Sequence, residues 1–293
     1  MPLLVFIAPT LLIVILIKVF EWQSKKSRKR NPLTSDLLRG PGEALREKIN
    51  DLRSDLLTYM QLMYLLPLMI FSMAISQQLY GKSPSYFLWF TYAVITLSCM
   101  VYIVLKLLRI RKQLHQYALG LDAEIAVGQE LNSLMRDGFW VFHDFPANTF
   151  NIDHVVIGPT GVFAIETKGR PKLINKSGAS ECEVIYDGTS LGFPTWKEHK
   201  PIEQAKSQAK WLEKWLSSAV GEAITVHPVL ALPGWYIKRG KSGGIPVING
   251  KNPAGFFLKY SNSNLSEKLQ RQIVHNVEQR CRTVLPKAYS QPK

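Results

Sequence analysis

The sequence predicts an α/β protein in two parts: three transmembrane helices, then a domain whose elements run helix, three strands, helix, strand. Two observations carry the prediction. Apolar residues crowd into roughly the first 110 of the 293 positions, and beyond about Gly120 helical and alternating patterns take turns. The expected organisation is a membrane region at 1–112, with spans at about 2–20, 59–78 and 86–108. A soluble domain follows at 113–285, and then a loose tail at 286–293.

Each span approaches or exceeds the ~18–20 apolar residues that a hydrocarbon layer of ~30 Å requires. A soluble three-helix bundle is disfavoured because polar positions in these stretches are so few. Lys18 can snorkel from the end of the first span, and Pro67 is expected to kink the second. Nothing basic precedes the first apolar run and no small-residue cleavage site follows it, unlike a cleavable signal. The connection from Glu21 to Asp55 carries nine Lys/Arg, including "KKSRKR" at Lys25–Arg30; the link "QLYGKSPS" has only Lys82. Lys106, Arg109, Arg111 and Lys112 lie at and after the end of the third span. Positive charge stays on the cytoplasmic side. The expectation is a multi-pass protein of the cell (inner) membrane, N-terminus outside and C-terminal domain cytoplasmic. Within the connection, Leu45, Ile49, Leu52 and Leu56 repeat at helical spacing behind Pro41. That helix lies along the inner membrane surface or packs on the domain.

The net charge of +14 is uneven: residues 1–112 hold 15 Lys/Arg against 6 Asp/Glu, and the rest 21 against 16. The high pI is thus largely membrane topology, and the domain is only mildly basic, compatible with an anionic substrate. Cys99, Cys182 and Cys281 form no CxxC pair, so neither a disulfide framework nor a structural zinc site is indicated.

In the domain, "GLDAEIAVGQELNSLMRDG" predicts a helix with Ile125, Val127, Leu131 and Leu134 on its apolar side, stopped by Gly138. "FWVFHDF" predicts a strand and "NIDHVVIGPTGVFAIETKG", residues 151–169, a hairpin. A strand pair is expected around "ECEVIYDGTSLGF". "PIEQAKSQAKWLEKWLSSA" is an amphipathic helix with Ala205, Ala209, Leu212 and Leu216 inward. "ITVHPVLALPG" reads as a buried strand, "IPVIN" as a short one, and "LSEKLQRQIVHNVEQRCRTVL" as the last helix.

The hairpin carries three groups that a core should exclude. With "GPTG" as the turn, Ile157 opposes Val162, Val155 opposes Ala164 and Asp153 opposes Glu166, with Lys168 on the same face. Opposed carboxylates repel unless one is protonated or a cation compensates. Lys168 supplies one positive charge, and a hard divalent ion would supply more. Such a site can polarise a phosphodiester while Lys168 orients water, assists its deprotonation or stabilises developing charge. The competing reading is a solvated strand face. His154 points the opposite way from Asp153 and reads as structural, and the other histidines cluster with nothing.

The hairpin resembles the signature of the NERD (nuclease-related domain) family, within the PD-(D/E)XK restriction-endonuclease-like superfamily. "GLDAEIAVGQELNSL" resembles the family's opening helix, with Ala123 where Gly is common, and "KPIEQAKSQAKWL" its Asn-Pro…Gln segment, with Lys200 in place of Asn. The resemblance covers roughly residues 118–220. It implies a restriction-endonuclease-like α-βββ-α-β fold. It also implies Asp153, Glu166 and the Thr167 carbonyl as ligands of Mg²⁺ or Mn²⁺, Lys168 as the catalytic lysine, and Glu124 and Gln204 beside them. By the same resemblance Gln204 would approach phosphate or water, with Gln208 one turn on as a further candidate; a solvent-facing position is the preferred reading of Gln208, and packing that of Trp211 and Trp215.

The leading expectation is a membrane-anchored, Mg²⁺-dependent nuclease hydrolysing DNA in the cytoplasm. The alternative is a non-catalytic nucleic-acid-binding or scaffold module tethered to the membrane. A channel is disfavoured, because the spans hold no internal acid and their basic residues lie near the ends.

Overall fold

The computed structural model describes residues 12–20, 22, 31–79, 85–173, 182–240, 243–260 and 265–286. Most of the first expected span, the Lys25–Arg30 cluster, the link after the second span and the tail lie outside them. The chain divides into two compact units, Met1–Leu38 with Arg282–Lys293, and Arg39–Cys281. In the first, residues 12–20 are helical, and Leu37–Leu38 pairs antiparallel with Arg282–Val284.

The second unit opens with α1 (Glu43–Leu79) and α2 (Tyr86–Leu131), antiparallel neighbours. Both are long and apolar enough to cross a membrane by length and composition. Leu65, Leu68 and Phe71 on α1, and Phe87, Phe90 and Leu97 on α2, are exposed. The helices meet the expected spans at Leu79 and Tyr86, but each runs on at its other end. The connection helix and the second span are one helix, with Pro67 inside it. The third span runs through Gly120 into the helix that carries Glu124, about 69 Å in all at 1.5 Å per residue. Close helix contact explains the continuity at Gly120, because a Cβ there would sit 3.3 Å from Leu45 Cδ1. Ile49 is buried, and Leu45, Leu52 and Leu56 are half-buried. A 3₁₀ turn and Gly138, with φ 81°, end the helical stretch.

The five-stranded sheet holds β1 (Trp140–Pro146), β2 (Asn151–Gly158), β3 (Gly161–Thr167), β5 (Val226–Ala231) and β7 (Val247–Ile248), in the order β7-β5-β3-β2-β1. The hairpin pairs antiparallel and β5 runs parallel to β3. Between them in sequence, β4 (Glu183–Tyr186) and the short Leu191–Gly192 strand form the expected pair. They belong to a separate four-stranded sheet with β6 (Tyr236–Arg239) and Lys197–Glu198. Helices α3 (Lys200–Val220) and α4 (Glu267–Cys281) bury Ala209, Leu212, Leu216, Ile273 and Val277 against Val155, Ile157, Val162 and Ala164 of the hairpin. The other hairpin face, with Val156, Phe163 and Ile165, packs on Val127, Leu131 and Leu134. The order helix, three strands, helix, strand is therefore present, and a two-layer covering leaves the hairpin 0–1 % exposed at these six hydrophobic positions and at Ala164.

Candidate active site

Pairing of Gly158 with Gly161, Ile157 with Val162 and Val155 with Ala164 gives the hairpin the register expected from its turn. The ladder ends at His154–Ile165, and the next step sets Asp153 beside Glu166. On the far side of β2, His143 pairs with His154 and Phe145 with Ile152, so Asp144 faces Asp153 across the strands. Three neighbouring strands thus bring an acid to one level of the sheet, a costly arrangement without compensation.

Each acid has a different partner. Asp144, 3 % exposed with φ 48°, leaves the ladder; its Oδ2 accepts from Arg39 Nε (3.0 Å) and Nη2 (2.6 Å) and from the Ala44 N–H (2.7 Å). Asn151 Nδ2 donates to its Oδ1 at 2.8 Å. Ala44 lies in the first turn of α1, so Asp144 caps that helix from the sheet and complements its dipole. Glu166 is 1 % exposed; Lys168 forms an ion pair with one oxygen, and Gln208 Nε2 donates to the other at 2.6 Å. Half-buried Asp153 receives the Thr167 N–H at 2.6 Å.

The site carries more negative charge than its surroundings accommodate. Burial, then the charges of Glu166 and Glu124, push Asp153 well above the usual carboxylate range. Burial, then Asp144 and Glu166, push Glu124 up to about 8. Glu166 is also raised by burial, against the pull of Lys168 and Gln208. A cavity of about 610 Å³ is lined by Glu124, Asp153, Glu166, Thr167, Lys168 and Gln204, so the structure brings all six expected positions together. Ala44, Leu45 and Lys48 of α1 form another part of its wall. Among the described residues, no group of three or more His, Cys, Asp or Glu is gathered as a metal-binding cluster.

Two expectations need correcting. Gln208 is not solvent-facing: it is 3 % exposed and holds Glu166, because it lies three residues from Ala205 and four from Leu212 on the inward side of α3. The histidines do cluster, with His143 Nδ1 and His154 Nδ1 2.9 Å apart and His143 Nε2 3.0 Å from Asn132 Oδ1. With Asn132 Oδ1 accepting, His143 carries its proton on Nε2 and His154 donates from Nδ1, which leaves the buried His154 Nε2 without a partner. Burial lowers His143 to about 4 and His154 well below its ordinary value, so the pair is neutral. Trp211 and Trp215 are packing residues, edge-on to Phe145 with Arg280 over their rings.

Sequence reading did not single out Arg39, Lys48 or Asp144. Asp144 gave a signal of its own, an acid within "FWVFHDF". Arg39 and Lys48 gave none, since they meet the site through contacts about 100 residues away in sequence. No curated protein and no solved structure matches the chain. Residues 119–233, which contain Glu124, Asp153, Glu166, Lys168 and both glutamines, match the family model described as the nuclease-related domain, NERD.

Proposed function

We propose that this protein is a membrane-anchored, Mg²⁺-dependent nuclease with a restriction-endonuclease-like fold, hydrolysing phosphodiester bonds of DNA in the cytoplasm. The observation that carries the reading is the convergence of Asp153, Glu166 and Lys168, with Glu124, on one cavity within the segment similar to a nuclease-related domain. Anchoring is supported by the exposed apolar lengths of α1 and α2 and by the excess of Lys/Arg in the expected cytoplasmic connection.

A hard cation is supported by the donor set: two carboxylates at one level of the sheet, both held in the protonated direction by burial, and Thr167 lining the same cavity. Asp153, Glu166 and the Thr167 carbonyl would hold Mg²⁺ or Mn²⁺, which when bound polarises the phosphodiester and acidifies water. Lys168 places an ammonium at the cavity wall, where it orients the attacking water and neutralises charge developing on phosphate. Gln208 fixes Glu166 from behind. Gln204 and Lys48 offer donors to phosphate oxygens from opposite helices. Glu124, pushed up to about 8, can exchange a proton near neutral pH.

The test is cleavage of labelled single- and double-stranded DNA by the purified full chain with Mg²⁺. Asp153→Ala and Lys168→Ala should each lower the rate by about 10²-fold or more. Mn²⁺ binding, measured by calorimetry, should vanish in Asp153→Ala and survive in Lys168→Ala. Equal cleavage by all three proteins would end the assignment. One observation favours a binding module instead: both Glu166 oxygens already have partners in Lys168 and Gln208. That reading predicts salt-sensitive DNA binding without metal and without cleavage.

A further inference from the structure

Helices α1 and α2 enclose a second cavity, a crevice of about 940 Å³ lined by Arg46, Arg53, Arg111, Lys112 and His115, with Asp122 the one acid. Arg46 is near Glu43, at 3.5 Å, whereas among the described residues Arg53, Arg111 and Lys112 have no ion-pair partner. Three cations without an ion-pair partner line one space and outnumber its single acid, which favours an anion there. Apart from Asn50, the rest of the lining is apolar and includes Ile49, Leu108 and Leu114.

Its height along the helices selects the anion. Lys106 Nζ lies 5.8 Å from the Tyr59 ring centroid and Lys48 Nζ 5.9 Å from that of Tyr117, which fixes the levels of the antiparallel pair. By the same offset Leu57 is level with Leu108, and both are exposed, at 60 % and 57 %. They begin the apolar surface, in which Lys106, two residues further along, is close enough to the end to snorkel back. Arg53 and Lys112 are level with each other and four residues nearer the domain, about 6 Å along a helix. The polar layer on each side of a bilayer's hydrocarbon core is itself about 5–7 Å deep. The cations therefore stand at the depth of lipid phosphates, beside walls that suit the first carbons of a lipid.

We propose that this crevice binds the phosphate headgroup of an anionic phospholipid through Arg53, Arg111 and Lys112. The proposal rests on α1 and α2 crossing the membrane, and it is independent of the nuclease chemistry. A DNA strand is the less suitable occupant, because the crevice reaches Leu108 at the apolar boundary and shares no lining residue with the cavity of Glu124 and Glu166.

The experiment uses the full chain in neutral detergent, with thermal unfolding recorded after addition of short-chain phosphatidylglycerol, phosphatidylcholine, inorganic phosphate or a DNA oligonucleotide. Phosphatidylglycerol should raise Tm by about 3 °C or more, and phosphatidylcholine should not. The triple variant Arg53→Gln/Arg111→Gln/Lys112→Gln should lose that shift. Lys268→Gln/Arg271→Gln, exposed on α4, should keep it, and so should Asp153→Ala. An equal shift with phosphatidylcholine, persistence in the triple variant, or reproduction by phosphate or DNA alone would overturn the proposal. Release of the chain from membranes by alkaline carbonate would overturn the anchoring reading beneath it. Retention without headgroup preference would sink only the lipid site. Loss of cleavage in Asp153→Ala reports on the nuclease reading alone.

Discussion

At the scale of single residues, the candidate site is a problem of excess charge. Glu124 makes the sign of its pH dependence checkable. Its carboxyl rises from 4.5 to about 8 on folding, so the folded state binds the extra proton. The associated stability is complete below pH 4.5 and is lost as pH climbs through 8. With chelator present, Glu124→Gln should be more stable than the parent at pH 8 and converge with it near pH 4.5, measured by thermal melts. The histidine pair has the opposite sign. His143 falls to about 4, so its contribution is present above pH 6.5 and lost as pH falls through 4. Gln208→Leu should cost about 1–3 kcal/mol in chemical denaturation, the usual penalty of stranding a buried acceptor, here on Glu166. Asp153, Glu166 and Lys168 could be read from sequence because strand alternation and a Gly-bounded turn leave one register. Gln208 was equally readable in phase with Ala205 and Leu212, but its amide suggested solvent. The His143–His154 contact became visible only once β1 and β2 were in register.

At the scale of elements, the start of α1 belongs to the site as much as the hairpin does. Asp144 holds Arg39 and the first turn of α1, and the Arg39 and Asp144 side chains are 10 % and 4 % exposed. Removing one member of such a pair leaves a buried charge. Arg39→Ala should therefore cost about 3–5 kcal/mol, and adding Asp144→Ala should cost much less than the two single losses together, measured as a double-mutant cycle by urea unfolding. Gly42 precedes this turn at φ 70°, where a Cβ would come 2.3 Å from Leu121 Cδ1. Gly42→Val should displace α1 from α2 and reduce cleavage with little loss of Mn²⁺ binding, since Asp153 and Glu166 stand on other elements. None of this was readable beforehand: Arg39 and Asp144 are 105 residues apart, and local patterns carry no trace of so distant a pairing.

At the scale of the molecule, the boundary expected near residue 112 is crossed by one helix. The sequence suggested a break because Lys106–Lys112 is rich in cations and Gly120 is a weak helix former, yet packing against α1 overrides both. A fragment spanning 113–293 would lack Arg39, Ala44 and Lys48, stranding Asp144 and opening the cavity wall. It should express as a poorly folded chain, whereas the full chain in detergent should unfold cooperatively, as followed by circular dichroism.

The unbroken length of α2 has one more consequence. If its apolar part is embedded, Glu124 stands sixteen residues beyond Leu108, about 24 Å above the hydrocarbon edge. A rod without a hinge cannot reach outward, so the candidate site would be confined to a thin layer along the membrane face that carries the domain. Under the proposed nuclease function, polynucleotides lying close to that membrane face would come within reach, and those far from it would be spared.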